Sequence, residues 1–190
     1  MCTRPKQRGI SLIELIMFIV IVSVALAGIL LVMNVTTKSS ADPLIHKQAL
    51  AVAESLLEEI ELMPFTYCDP TDANAASAVN STISPTGCAT MSQDVITVPV
   101  PAGATRYSAG TPYNNVADYS TFSMNPILDI TGGGTGLGNY SAVVTMSRTG
   151  TAFVGAADNG SALLITVAVT GPDGVAVQLD GIRTRYSPNP

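Results

Sequence analysis

From Ile10 to Met33 the chain runs for 24 residues in which only Ser11, Glu14 and Ser23 are more polar than glycine. A helix of that length rises ~36 Å at ~1.5 Å per residue, enough to cross a hydrocarbon core of ~30 Å. Residues 34–40 are polar, and Asp42-Pro43 follows. That pair suits either the N-cap and first-turn proline of a new helix or a kink in one continuous helix, and the kink is the favoured reading. Beyond it Leu50, Ala53, Leu57 and Ile60 recur at helical spacing, with Ala49, Leu56 and Met63 beside them. This stripe predicts a helix packed on a sheet. Glu54, Glu58 and Glu61 lie on another face, read as solvated, and Pro64 closes the segment.

The pattern then changes period. Asp94 to Val100 is a short strand candidate stopped by Pro99 and Pro101, and residues 102–139 are dominated by Gly, Asn, Ser, Thr and Pro, which predicts irregular connections. Tyr140–Arg148 and Ala162–Thr170 are rich in Val, Ile and Thr and read as strands. Val175, Val177 and Leu179 alternate with polar or small residues, and Ile182, Thr184 and Tyr186 resume the alternation after Asp180-Gly181. That shift by one predicts a β-bulge at Gly181. Gly171-Pro172-Asp173-Gly174 predicts a tight turn joining the last two strands into a hairpin. A helix laid across an antiparallel meander is an α+β architecture.

Composition narrows the function. The 190 residues carry 9 basic and 14 acidic side chains, 12% in all, against about 25% in ordinary globular chains. Mean hydropathy is +0.37. The net charge of −5 argues against a nucleic-acid partner, because phosphate binding needs a basic surface. His46 is the one histidine, so neither a hydrolytic triad nor a two-His metal site can be built, and GxSxG and HExxH motifs are absent. Gly132 to Gly138 fits neither GxGxxG nor GxxxxGK and reads as a turn. Asp118 and Asp129 could join loop carbonyls around a calcium ion, though without EF-hand spacing. The expectation is a chain that is not an enzyme, with no cofactor and no metal.

Charge distribution orients the apolar run. Arg4, Lys6 and Arg8 precede it and only Lys38 follows soon after, which places the N-terminus in the cytoplasm and everything beyond residue 34 across the inner membrane. An uncleaved anchor would have this form. So would a secretory signal cut after Ala25-Leu26-Ala27, except that the apolar run continues through Met33. Neither accounts for Glu14, since a carboxylate within such a run costs roughly 2.5–3.5 kcal/mol on insertion scales.

Arg8-Gly9-Ile10-Ser11-Leu12-Ile13-Glu14 resembles the processing signature of type IV prepilins and the related pseudopilins. That pattern is a short basic leader, a glycine, usually Phe-Thr-Leu-Ile-Glu, and about twenty apolar residues. Ile10 and Ser11 stand where Phe and Thr are usual. The resemblance implies that a prepilin peptidase cuts between Gly9 and Ile10 and methylates the new amino group. It further implies that this ammonium on one subunit meets Glu14 on another as subunits enter a filament. The fold it implies is a long N-terminal helix packed on an antiparallel sheet, as the pattern itself suggests. The partners it implies are other pilin subunits, the peptidase, an inner-membrane assembly platform and the lipid bilayer.

Shorter stretches resemble one subgroup, the minor pilins of the mannose-sensitive haemagglutinin (MSHA) pilus. They are Ser40 to Leu44, Ala53 to Ile60 leading to Cys68-Asp69-Pro70, Asn115 to Tyr119, and Gly181 to Tyr186. A type II secretion pseudopilin, or an adhesin binding through loops 70–90 and 102–139, are the alternatives on the same scaffold. Cys68 and Cys88 flank a polar loop and should pair once exported; Cys2 would leave with the leader. The expected organisation is a leader at 1–9, a membrane and assembly helix at 10–33, a stalk helix at 34–64 and a β-rich head at 65–190. Without the leader the chain has 6 basic and 14 acidic side chains.

Overall fold

The computed structural model describes residues 9–93, 102–153 and 159–185. The strand candidate at 94–100, the leader's first eight residues and Tyr186 lie outside them. The chain divides into two units, Met1–Leu44 and Ile45–Pro190.

In the first unit, helix α1 (Leu12–Leu62) begins two residues after Ile10. Leu12–Thr37 is long and apolar enough to cross a membrane, with every side chain exposed. Its few hydroxyls are satisfied within the helix. Ser23 donates to the Ile19 carbonyl at 2.7 Å, and Thr36 and Thr37 donate to Val32 and Met33 at 2.8 Å. A polar group bonded this way adds little to the cost of entering lipid. Pro43 lies inside the helix, so Asp42-Pro43 does not start a separate one. The N–H that proline lacks removes one link from a 51-residue element.

In the second unit the sheet is a meander of β1 (Ser123–Met124), β2 (Ser141–Arg148), β3 (Ala162–Thr170) and β4 (Ala176–Thr184), in that spatial order and antiparallel throughout. β2 and β3 fall within one residue of the sequence reading. From β3, Leu163, Ile165, Val167 and Val169 point into the core; Ala142 and Val144 do so from β2. Each fully buried Leu, Ile or Val contributes about 1.5–3 kcal/mol.

The last turns of α1 cover this face with Ala49, Ala53, Leu56 and Ile60, all at most 2% exposed. The stripe is thus rotated from the predicted one: Leu50 is 36% exposed and Leu57 only partly buried. Alanines at 49 and 53 let the helix backbone approach the sheet, which bulkier residues at the contact would prevent. Glu54 and Glu58 are exposed, as the acidic face predicts, whereas Glu61 is half-buried.

No bulge interrupts β4. The register with β3 runs unbroken from Ala162↔Thr184 to Thr170↔Ala176, with Gly181 opposite Ile165. Gly181 lies on the inner face with Val177, Leu179 and Arg183, while Ile182 points outward. A Cβ at Gly181 would lie 2.9 Å from Leu57 and 2.3 Å from the Glu61 carboxylate. The missing side chain marks where the helix crosses the strand. The broken alternation therefore reflects a close approach, not an extra residue.

The 102–139 region is more ordered than its composition predicts. Val116–Tyr119 forms one 3-10 turn, fully buried. The Asn115 side chain accepts the Ala117 N–H at 3.1 Å, and Asp118 accepts the Asn115 N–H at 3.1 Å, a reciprocal capping box. Tyr113, Tyr119 and Phe122 pack edge to face, with centroids 4.8–6.0 Å apart.

Candidate functional site

Gly9 and Ile10 precede α1 and are exposed, Ile10 at 74%. Ser11 opens the helix, its carbonyl accepting the Leu15 N–H at 3.1 Å. Glu14, also exposed, stands in the first turn, where the helix dipole favours a negative charge. The residues named from sequence for processing and assembly thus occupy one helix end, with nothing within 4 Å of a Cβ placed at Gly9.

In the head, Cys68 and Cys88 are joined by a disulfide with Cα atoms 5.4 Å apart. Asp72, 5% exposed, organises the enclosed loop. One carboxylate oxygen accepts the Asn74 and Ala89 N–H groups at 2.9 Å, and the other accepts Thr90 and Met91 at 2.8 Å. These residues lie on both arms of the loop, so a single anion fastens it beside the covalent link.

A family model for the prokaryotic N-terminal methylation motif matches residues 4–30. That match begins within the basic leader and ends inside α1, on a chain whose head is an antiparallel sheet with a disulfide-bounded loop. The chain is type IV pilin-like. No curated protein and no solved structure matches it.

The pilin-like head holds a charged cluster that sequence inspection passed over. Glu59, only 17% exposed, takes a bidentate bond from Arg106: Nε to Oε1 at 2.7 Å and Nη2 to Oε2 at 2.5 Å. The Tyr119 hydroxyl donates to the same Oε1 at 2.6 Å. Arg106 Nη1 reaches the Asp129 carbonyl at 3.2 Å and the Leu128 carbonyl at 3.4 Å. Burial alone would lower the Arg106 pKa, but bonding to Glu59 outweighs it and raises the value overall. Burial first, then the bond to Glu59, pushes the Tyr119 hydroxyl up. The signal available in the sequence was Arg106 itself, the only charge of its sign between Lys47 and Arg148. Beside the pair is a cavity of 580 Å³ lined by Gln48, Val52, Leu56, Met124, Ile127 and Leu137.

The two aspartates considered for calcium serve separate loops. Asp129 is exposed and accepts the Thr131 hydroxyl at 2.7 Å and the Thr131 and Gly133 N–H groups at 2.8 and 2.7 Å. These bonds, the Thr131 hydroxyl foremost, hold its pKa below the ordinary value. The glycine run is accordingly a bonded turn, with the Asp129 N–H donating to the Gly133 carbonyl at 2.9 Å. Asp118 is buried within its capping box. His46, half-exposed, lies 3.8 Å from Asp173. Among the described residues no group of three or more His, Cys, Asp or Glu could hold a metal.

Asp72 yields a pH prediction. Its pKa is lowered from 3.8, chiefly by the Ala89 N–H, with burial opposing and the Met91, Thr90 and Asn74 N–H groups adding to the effect. A carboxylate with a depressed folded-state pKa stabilises fully above its unfolded value and loses that contribution as pH falls towards the folded one. Denaturation midpoints of the wild type should therefore fall below pH ~4 more steeply than those of Asp72→Asn. Parallel curves for the two proteins would rule out this role.

Proposed function

We propose that this chain is a membrane-inserted minor pilin, processed by a prepilin peptidase between Gly9 and Ile10 and incorporated into a filament through its N-terminal helix. The observation that carries this reading is the methylation-motif match over residues 4–30, at the start of a helix whose apolar side chains are exposed from Leu12 to Val35. Such a surface needs lipid first and neighbouring helices afterwards.

Glu14 then has a specific task. Cleavage leaves Ile10 with an α-ammonium whose unperturbed pKa is about 8, cationic at neutral pH. That ammonium and Glu14 lie four residues apart, so staggering two helices brings one subunit's cation to the other's carboxylate. The pair neutralises a charge that hydrocarbon would otherwise penalise. The leader's Arg4, Lys6 and Arg8 would oppose such packing, which makes cleavage the switch for assembly. The role is structural: subunits, peptidase, assembly platform and bilayer are its partners. The short motifs at 40–44, 53–60, 115–119 and 181–186 support a finer reading, the minor pilin MshD of an MSHA-type pilus used for surface attachment.

Mass spectrometry of the mature N-terminus in membranes and in sheared filaments tests the proposal. The expected product begins at Ile10, carries one added methyl group, and appears in both fractions. Glu14→Ala should yield the same cleaved product in membranes but little in filaments. A mature chain starting at Met1 or Gly28, or normal filament incorporation of Glu14→Ala, would sink the corresponding step. Copurification with secretion components in place of pilus subunits would favour the pseudopilin reading.

A further inference from the structure

Two apolar surfaces of the head lie outside its core. The first is the 580 Å³ cavity beside the Glu59–Arg106 pair, lined by the buried Leu56, Met124 and Ile127 and rimmed by the exposed Ala51, Ser55 and Ile130. Its charges are already engaged. Glu59 and Arg106 neutralise each other, and Asp129 accepts the Thr131 and Gly133 N–H groups. The cavity therefore offers a guest mainly hydrocarbon contact.

The second surface is the tip of the disulfide-bounded loop, where Val79 is 62% and Ile83 65% exposed. A lone exposed aliphatic needs no explanation; these two stand within five positions on a tip of fixed shape. The Val79 N–H donates to the Thr86 carbonyl at 3.0 Å, the Cys88 N–H to the Thr82 carbonyl at 2.8 Å and the Ser84 N–H to the Cys88 carbonyl at 3.1 Å. Asn80 Oδ1 accepts the Thr82 N–H at 3.0 Å. A Cβ at Gly87 would overlap the Thr82 carbonyl, so the fold is tight there. Such a tip loses little conformational freedom when it docks.

Charge selects the occupant. Residues 73–93 contain no acidic or basic side chain, whereas the chain without its leader carries 14 acidic and 6 basic ones. Two copies of so acidic a chain repel where their charged faces meet, but the neutral loop can approach. A basic partner would be drawn to the acidic helix face instead. No residue of the loop lines the cavity of its own chain. The cavity opens along the helix between Gln48 and Glu59, while the loop follows the helix end at Leu62.

We infer that the loop tip, through Val79 and Ile83, docks in the cavity of a second copy of this chain. At 580 Å³ the cavity falls within the ~300–1,000 Å³ of small-ligand sites, room enough for two aliphatic side chains. The contact is heterologous and leaves each end member with a free loop or a free cavity. It can repeat with every helix pointing the same way, as chains inserted in one membrane require. Only that repeat rests on the filament reading; the docking itself is a property of the head.

The test places p-benzoylphenylalanine at Val79 of the full-length chain, densely reconstituted in phosphatidylcholine vesicles. Irradiation should join two copies, and peptide mapping should locate the new bond on Met124 or Ile127. Ala51→Trp fills the mouth of the cavity, and Ile83→Asp sets a charge on the tip. Each should lower the adduct yield at least about tenfold and leave the melting midpoint unchanged, since both positions are exposed. No adduct, an adduct mapped elsewhere on the second copy, or yields untouched by the two substitutions would overturn the inference. So would irradiation in cells that joins the tip to a different protein. An adduct in vesicles from a chain that enters no filament would support the docking and count against the filament reading alone.

Discussion

Arg106→Ala is expected to lower the unfolding free energy of the head by about 3–5 kcal/mol, the range for breaking a buried pair by removing one partner. The expectation rests on what is left behind. Glu59, on the helix, would keep its charge at 17% exposure with only the Tyr119 hydroxyl bonded to it, and the Leu128 and Asp129 carbonyls would lose their shared donor. Glu59→Ala leaves the guanidinium stranded and should cost a similar amount. The double variant Glu59→Leu with Arg106→Met separates the pair's net worth from the penalty of orphaning a charge. It should recover much of the loss, because apolar replacements of similar volume are often neutral where a buried ion pair stood. Chemical denaturation of the detergent-solubilised chain, followed by near-UV circular dichroism, reads all four proteins. Single variants within about 1 kcal/mol of wild type would place the pair in the class of solvent-screened surface bridges.

Replacing both Cys68 and Cys88 by serine should cost about 3 kcal/mol, the chain-entropy value for a cross-link closing a loop of about this length, here a separation of 20 residues. The folded loop itself should survive, since Asp72 still collects four backbone N–H groups from its two arms. The effect is thus assigned to the unfolded chain, which regains freedom, and less to the folded state. Wild-type protein denatured under strong reductant should match the double-serine variant. Equal stability of the oxidised and reduced wild type would refute the assignment.

Large, periodic features were legible in the sequence, and special contacts were not. The apolar run, the helix after it, β2, β3 and the final hairpin all follow from spacing. Half of the helix's inner stripe was misplaced by one position, because Leu50 and Leu57 share helical spacing with the buried Ala53 and Ile60 yet lie at the edge of the contact. Tertiary packing kept Ala53 and Ile60 of that stripe and took the flanking Ala49 and Leu56 in place of Leu50 and Leu57. Gly181 misled for the same reason: it conserves space for Leu57 and Glu61, a neighbour more than a hundred residues away in sequence. β1 is two residues long and offers no periodicity to detect. The turn at 116–119 was readable in hindsight from Asn115 and Asp118 at capping-box spacing. The Glu59–Arg106 pair spans 47 positions, and local pattern cannot join residues so far apart. At the candidate assembly site the reverse holds: Gly9, Ile10 and Glu14 lie within six positions, a span that local pattern can read.

The meander order has a kinetic consequence. Each strand of the sheet pairs with its immediate successor, so β2, β3 and β4 assemble through short loop closures that form quickly. The helix that covers them ends at Leu62, about sixty residues before β1 begins. Docking it is therefore the slow, long-range event, and it awaits the last strand. A chain delivered N-terminus first presents Leu56 and Ile60 to water before the surface that hides them exists. In that interval the helix is a temporary client for any chaperone it meets.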